Sequence, residues 1–156
     1  MASTIEPSTL WQTLRADTMR LASLALAVIG AVNAGYLAWT KAMNTNIYCG
    51  PGSSACDAVS ASQYGYLLGI PVSYLGLASY LALIALLLLE SRAGFFKTNG
   101  PLAVFALTLF GTLFSGYLQY ASLFVLREVC PYCVVNAVVM AVLLALSILR
   151  LRRALL

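Results

Sequence analysis

Four stretches of this sequence run for roughly the thickness of a bilayer without a charged side chain: about 21–40, 72–89, 101–126 and 131–149. A hydrocarbon core about 30 Å thick takes about 20 residues of helix at 1.5 Å each. A lone segment can enter it only as a helix, which pairs its own backbone polar groups. The whole chain agrees, with 62% hydrophobic and 9% charged residues and a mean hydropathy of +0.90 over 156 residues, far outside the range of soluble domains. The sequence therefore predicts an all-α polytopic membrane protein: a four-transmembrane-helix bundle with an outer loop carrying a short helix.

The connections follow from what interrupts the apolar runs. Residues 1–20 are polar and of mixed charge, with Pro7 and Trp11; they read as a cytoplasmic tail with an interfacial turn at Trp11. A cleavable signal ending near Ala34 is the rival reading, opposed by the length of the apolar run and by Asn33 inside it. Ala27, Ala31 and Gly35 form a small-residue ladder at i, i+4 that lets another helix approach closely. The loop 41–70 holds Cys49 and Cys56 around turn-forming residues, then a short helix from Asp57 to Tyr64 capped near Asp57, and Gly65 to Gly69 return the chain to the membrane. Glu90 to Gly100 read as a tight polar turn, and 150–156 as a basic cytoplasmic C-terminus.

Lys and Arg counts set the orientation. With both termini cytoplasmic, that side holds Arg15, Arg20, Arg92, Lys97, Arg150, Arg152 and Arg153, against Lys41 and Arg127 on the other. This arrangement places all four cysteines on the periplasmic or extracellular side of a cell inner or plasma membrane, where disulfides persist. The net charge of +4 is thereby explained by topology, and nucleic acid is not an indicated partner; membrane lipids are. No Asp, Glu, Lys, Arg or His lies inside a span, which disfavours an ion pump or proton-coupled transporter.

Polar residues within the spans crowd towards the cysteines. Asn33, Tyr36, Ser73, Tyr74, Ser115, Tyr117, Gln119, Tyr120 and Asn136 share that half of the bundle, whereas 83–89 and 138–146 are almost wholly apolar. The cysteine half reads as a pocket; the plainer reading is that Asn33, Gln119 and Asn136 only hydrogen-bond between helices.

Cys130-Pro131-Tyr132-Cys133 opens the last apolar run. Pro131 suits a first helical position, and Cys130 and Cys133 at i, i+3 share a face, close enough for a disulfide. A thiolate there faces the positive end of the helix dipole, which lowers its pKa. With the second pair, Cys49 and Cys56, three readings stand. Zinc is opposed by the wide Cys49/Cys56 spacing, by the absence of His and by an oxidising compartment, so no metal is expected. Two structural disulfides in a non-enzymatic tetraspan membrane protein are the second reading. The third is a relay, in which one pair exchanges with an outside protein and the other passes two electrons to an acceptor in the membrane. A lipid-soluble quinone fits that place, because it needs an apolar cavity and a few hydroxyl or amide donors.

Cys49, Cys56-Asp57-x-Val59-x-x-Ser62-x-Tyr64-Gly65, Gly69-Ile70-Pro71-Val72-Ser73-x-x-Gly76 and Cys130-x-x-Cys133 together resemble the bacterial and archaeal vitamin K epoxide reductase family, across all four spans. The DsbB family does similar chemistry but carries its Cys-x-x-Cys in the first outer loop. The resemblance implies a four-helix bundle around a quinone (menaquinone, ubiquinone or a vitamin K-like naphthoquinone). Cys133 matches the cysteine next to the quinone, Cys130 the one exchanging with the loop, Cys56 its loop partner, and Cys49 the one facing the soluble donor. Ser62 matches a Ser or Thr near the quinone; Asn33, Tyr36, Tyr117, Tyr120 and Asn136 are the further candidates for contacting it. Ala137 stands where vertebrate members carry their active-site tyrosine, so vitamin K epoxide turnover is not carried over. Many bacterial members have a fused thioredoxin-like domain that these residues do not show. The donor is therefore expected to be a separate thioredoxin-fold protein of the DsbA type, oxidised by a membrane quinone-dependent disulfide-forming oxidoreductase.

Overall fold

The computed structural model describes residues 7–45, 58, 61–90, 92 and 94–155. Helix α1 spans Pro7–Ala42, α2 Val72–Leu89, α3 Gly94–Tyr120 and α4 Pro131–Leu155. Four segments are long and apolar enough to cross a membrane: Asp17–Ala42, Val72–Leu89, Thr98–Leu126, which runs past the end of α3, and Pro131–Arg153. The helices form a ring in chain order, α1 against α2, α2 against α3, α3 against α4 and α4 back against α1. Large apolar side chains such as Val32, Leu113 and Phe124 point away from the ring, as a lipid-facing surface requires.

The helices outrun the apolar runs at both ends. Helix α1 begins at Pro7, well ahead of the apolar run, because nothing between Pro7 and Leu21 breaks a helix and Pro is favoured at its start. It ends in a left-handed Asn44, with Thr45 N–H bonded to Thr40 C=O at 3.0 Å and Asn44 N–H to Lys41 C=O at 3.3 Å, the two bonds of a Schellman stop. The polar turn expected over Glu90 to Gly100 shrinks, since α3 starts at Gly94 and carries Pro101 inside it. Beyond Tyr120 the helix widens into a π-helical turn, Ala121–Leu126, closed by a left-handed Arg127 whose N–H meets Ser122 C=O. Ser122 also bonds Glu128 with both its hydroxyl and its carbonyl, fixing the short link to α4.

Two further elements differ from expectation. A 3-10 turn at Gln63–Gly65 stands where the short helix expected from Asp57 to Tyr64 would end, and a two-strand antiparallel hairpin, β1 Tyr66–Leu67 with β2 Ile70–Pro71, replaces the plain return expected from Gly65. Leu68 and Gly69 at its tip both have positive φ, 52° and 81°, the geometry of a tight hairpin turn whose twist matches its strands. The Lys41 ammonium sits 4.6 Å from the centre of the Tyr66 ring and ties this hairpin to the end of α1. On α1 the face buried most deeply is Ser23, Ala27, Gly30, Ala34 and Ala38; Ala31 and Gly35 of the expected ladder lie on its flank, only partly buried. Cys49, Cys56 and Asp57 lie outside the described residues.

Away from the cysteines the core is Ala27, Tyr80, Leu83, Leu87, Val104 and Leu143, with Met140 and Val139 above them. At the far end Arg150 of α4 meets Glu90 at the end of α2 through contacts of 2.6 and 2.7 Å, both side chains about nine-tenths buried.

Candidate functional site

The Cys-x-x-Cys turn is built by the start of α4. Pro131 takes the first helical position, and the first helical bond runs from Val134 N–H to Cys130 C=O at 3.1 Å. Cys130 is therefore the capping residue and Cys133 sits one turn on, on the same face. The two are thiols not joined by a disulfide; Cys130 is buried and Cys133 half-buried. Cys130 precedes the span, and its thiol is pulled down to about 7, first by the hydrogen bond from the Cys133 side chain and further by the N–H groups of Cys133 and Tyr132, against the opposing effect of burial. Cys130 thus gives up its proton more readily than an ordinary cysteine, with the Cys133 thiol as its hydrogen-bond donor.

Helix α1 grips this turn. Asn33 Nδ2 donates to the Tyr132 carbonyl at 3.1 Å, and the Tyr36 ring packs 5.4 Å from the Tyr132 ring. Leu37, Leu126 and Tyr132 pack around Cys130. Tyr132, one of the two residues between the cysteines, is thereby anchored by a helix nearly a hundred positions earlier in the chain.

Cys130 and Cys133 both line a cavity of about 340 Å³ inside the cysteine half. Leu37, Leu75, Phe110, Phe114 and Leu118 supply apolar wall, and Asn33, Ser73, Ser79, Ser115 and Asn136 the polar atoms; Tyr64, Gly65 and Leu67 close the loop side. An apolar cavity of a few hundred Å³ with a few placed donors is the form of a small-molecule site. A flat, apolar molecule with carbonyl oxygens fits this donor set: amides and hydroxyls are present, and among the described residues no charged side chain lines it.

The expected contact residues separate. Asn33 and Asn136 line the cavity, while Tyr36, Tyr117, Tyr120 and Ser62 do not. Tyr36 is turned to Tyr132. Tyr117 is 54% exposed, edge-on to Tyr64, and Tyr120 is 60% exposed against Phe124, because both fall on the outward phase of α3. Ser62 precedes the 3-10 turn, with Gly65 N–H on its carbonyl at 3.0 Å, and the turn carries Tyr64 and Gly65 to the cavity. Two features escaped the sequence reading. Tyr80 of α2 donates to Asn136 Oδ1 at 2.7 Å, and Asn136 Nδ2 donates to Ser115 Oγ at 3.2 Å. The Tyr80 hydroxyl inside an apolar run was the available signal, since a buried phenol needs a partner.

Fold and site define a multi-pass membrane protein with a dithiol at the head of a membrane-embedded cavity. The family model described as the vitamin K epoxide reductase family matches residues 21–148, and the chain belongs to that family. It is also 30% identical over 122 residues to the Arabidopsis thaliana protein named Thiol-disulfide oxidoreductase LTO1, a match covering 75% of this chain. The chain spans about a third of that relative, 32% of its length.

Proposed function

We propose that the protein is a membrane thiol oxidoreductase that makes disulfides in a thioredoxin-fold partner and delivers the electrons to a membrane quinone. The observation that carries this reading is the Cys130/Cys133 pair opening directly on an apolar, donor-lined cavity. A bound quinone supplies the acceptor, taking the two electrons and two protons released as the Cys130–Cys133 bond forms. Cys133 is the sulfur assigned to it, and Asn33 and Asn136 are the amides that hold it. The family membership and the name of the Arabidopsis relative support thiol–disulfide chemistry.

The loop cysteines complete the relay. A dithiol partner reduces a Cys49–Cys56 disulfide; the Cys56 thiolate attacks Cys130, which releases Cys133 as a thiolate, and Cys49 then attacks Cys56 to free Cys130. One disulfide is made in the partner for each dithiol regenerated at the cavity. The Lys and Arg distribution supports cytoplasmic termini and cysteines on the opposite side. Ser62 is assigned a hydrogen bond to the quinone on the family resemblance alone.

Reduction of a soluble naphthoquinone by the purified protein with a dithiol donor, followed by absorbance, tests the reading. Turnover that disappears in Cys133→Ala is expected; turnover indifferent to that change, or none at all, refutes it. For sidedness, an impermeant maleimide should label Cys49 and Cys56 in intact reduced cells, and a cysteine at Ser91 only after lysis. Ser62→Ala with undiminished quinone reduction would remove Ser62 from the site.

A further inference from the structure

We infer that Tyr80 is a positioning residue of the redox site: its buried hydroxyl holds the Asn136 amide so that one N–H stays directed to the acceptor's oxygen. The inference rests on the quinone reading above and goes beyond it, because Tyr80 itself does not line the cavity.

Asn136 lies on α4 one helical turn beyond Cys133 and lines the same cavity. Its side chain offers one acceptor oxygen and two N–H donors. The oxygen takes the Tyr80 O–H at 2.7 Å and one N–H goes to Ser115 Oγ at 3.2 Å. Two anchors on different helices, α2 and α3, fix the plane of the amide. The second N–H has no protein partner among the described residues and belongs to a side chain that walls the cavity. A donor fixed in advance next to an oxygen that gains negative charge stabilises the charged form without reorganising at the moment of transfer.

The phenol is itself socketed. Tyr80 is fully buried, and its ring lies so close to α1 that a Cβ at Gly30 would fall 2.2 Å from it. Gly30 is thus the residue that lets the ring reach across the bundle. A phenylalanine would fill this socket as well and would carry no hydroxyl to satisfy. The hydroxyl therefore adds something that packing alone does not need, and Asn136 is where it goes. The competing account is simple interhelical adhesion, which predicts a stability effect and no effect on the acceptor.

A double-mutant cycle separates these accounts. Tyr80→Phe, Asn136→Ala and the double variant are compared in turnover with menadione, and in menadione binding to the protein with its cysteines oxidised, where no electrons flow. Tyr80→Phe should lower kcat about tenfold with a smaller change in affinity, Asn136→Ala should lower it by about ten to a hundredfold, and the double variant should be no slower than Asn136→Ala alone. In the absence of quinone, the ¹⁵N side-chain resonance of Asn136, assigned by its loss in Asn136→Ala, should shift in Tyr80→Phe. Ser115→Ala, which frees the other anchor, should show the same non-additivity with Asn136→Ala and serves if Tyr80→Phe folds poorly. Multiplicative losses in the double variant, or unchanged kcat in Tyr80→Phe, overturn the inference while leaving the quinone reading intact. No menadione binding by the unaltered protein removes both.

Discussion

The two halves of the bundle use polar groups in opposite ways. In the cysteine half, Asn33, Ser115 and Asn136 face a cavity and keep donor capacity beyond their protein partners. In the far half, polar groups are paired with one another and surrounded by Leu83, Leu87, Val104 and Leu143: Thr108 with Ser147, and Arg150 with Glu90. Burial of a polar group costs free energy unless it finds a partner. A half that pairs its polar groups across helices holds them together, although Arg150 Nη1 stays buried without a partner, and a half whose polar groups face a cavity has room for a ligand. The same four helices therefore provide both a packed base and a cavity, and the boundary falls near Met140, which belongs to the core and also lines the cavity.

The sharpest way to break this comparison is to remove Cys133. Cys133→Ala should reduce quinone reduction to the uncatalysed background while leaving thermal stability close to that of the parent, because the thiol is half-buried at a cavity wall. Under turnover with a reduced partner, peptide mapping without reduction should find Cys56 joined to Cys130, since the sulfur that resolves that bond is gone. A bond only between Cys49 and Cys56, with Cys130 free, would mean that the two pairs do not communicate.

The opposite signature is expected at the far end. Glu90→Gln leaves the Arg150 guanidinium without its counter-charge in a site where both side chains are about nine-tenths buried. Breaking a buried pair by removing one partner typically costs about 3–5 kcal/mol. A large fall in the denaturation midpoint in detergent is expected, with turnover per folded molecule unchanged. Loss of turnover at full stability would join the far end to the chemistry and erase the division between the halves.

How much of this division can be read from the sequence follows from the range of each interaction. The spans are legible because twenty uncharged residues have few alternatives, and the Cys130/Cys133 pair because its geometry is local to one turn. The start of α1 at Pro7 is not, since hydropathy reports where lipid is and not where helix ends. The Tyr80–Asn136 bond joins positions 56 apart, and which of several tyrosines meets an asparagine depends on the rotation of two helices. Tyr36, Tyr117 and Tyr120 share the level of the cavity in sequence yet point elsewhere for the same reason: depth along a helix is readable from spacing, and azimuth requires the partner helices. Thr108 and Ser147 look like isolated hydroxyls in apolar runs, where bonding to the preceding turn would already satisfy them.

A finer test within the cysteine half uses pH. With the Cys130 thiol lowered to about 7, its thiolate is half formed there. Modification by a small methanethiosulfonate in the reduced protein should therefore fall about tenfold for each unit below that point and level off above it. The main cause of the lowering is the hydrogen bond from Cys133, so Cys133→Ala should move the profile to higher pH, towards an ordinary thiol near 8.5. A profile unmoved by Cys133→Ala would assign the lowering to the backbone N–H groups at the head of α4 instead.

The smallest expected effect is in the far half, at Thr108. Its hydroxyl is fully buried and lies 3.0 Å from Ser147 Oγ, yet it also bonds the Val104 carbonyl at 2.8 Å and the Phe105 carbonyl at 3.0 Å. One proton cannot serve three acceptors fully, and Ser147 retains its own bond to the Leu144 carbonyl at 2.8 Å. Thr108→Val keeps the shape and removes a contact whose loss leaves only a lone pair of Ser147 without its neighbour. The cost should be about 0.6 kcal/mol, the usual size of a hydroxyl contact between membrane helices, measured as a small shift in the denaturation midpoint. Turnover and menadione affinity should not move, in contrast to Ser115→Ala seven residues along the same helix, where the hydroxyl faces the cavity. If Thr108→Val slows quinone reduction as much as Ser115→Ala does, the hydroxyls of α3 act as one continuous polar line, and the far half is part of the reaction chamber.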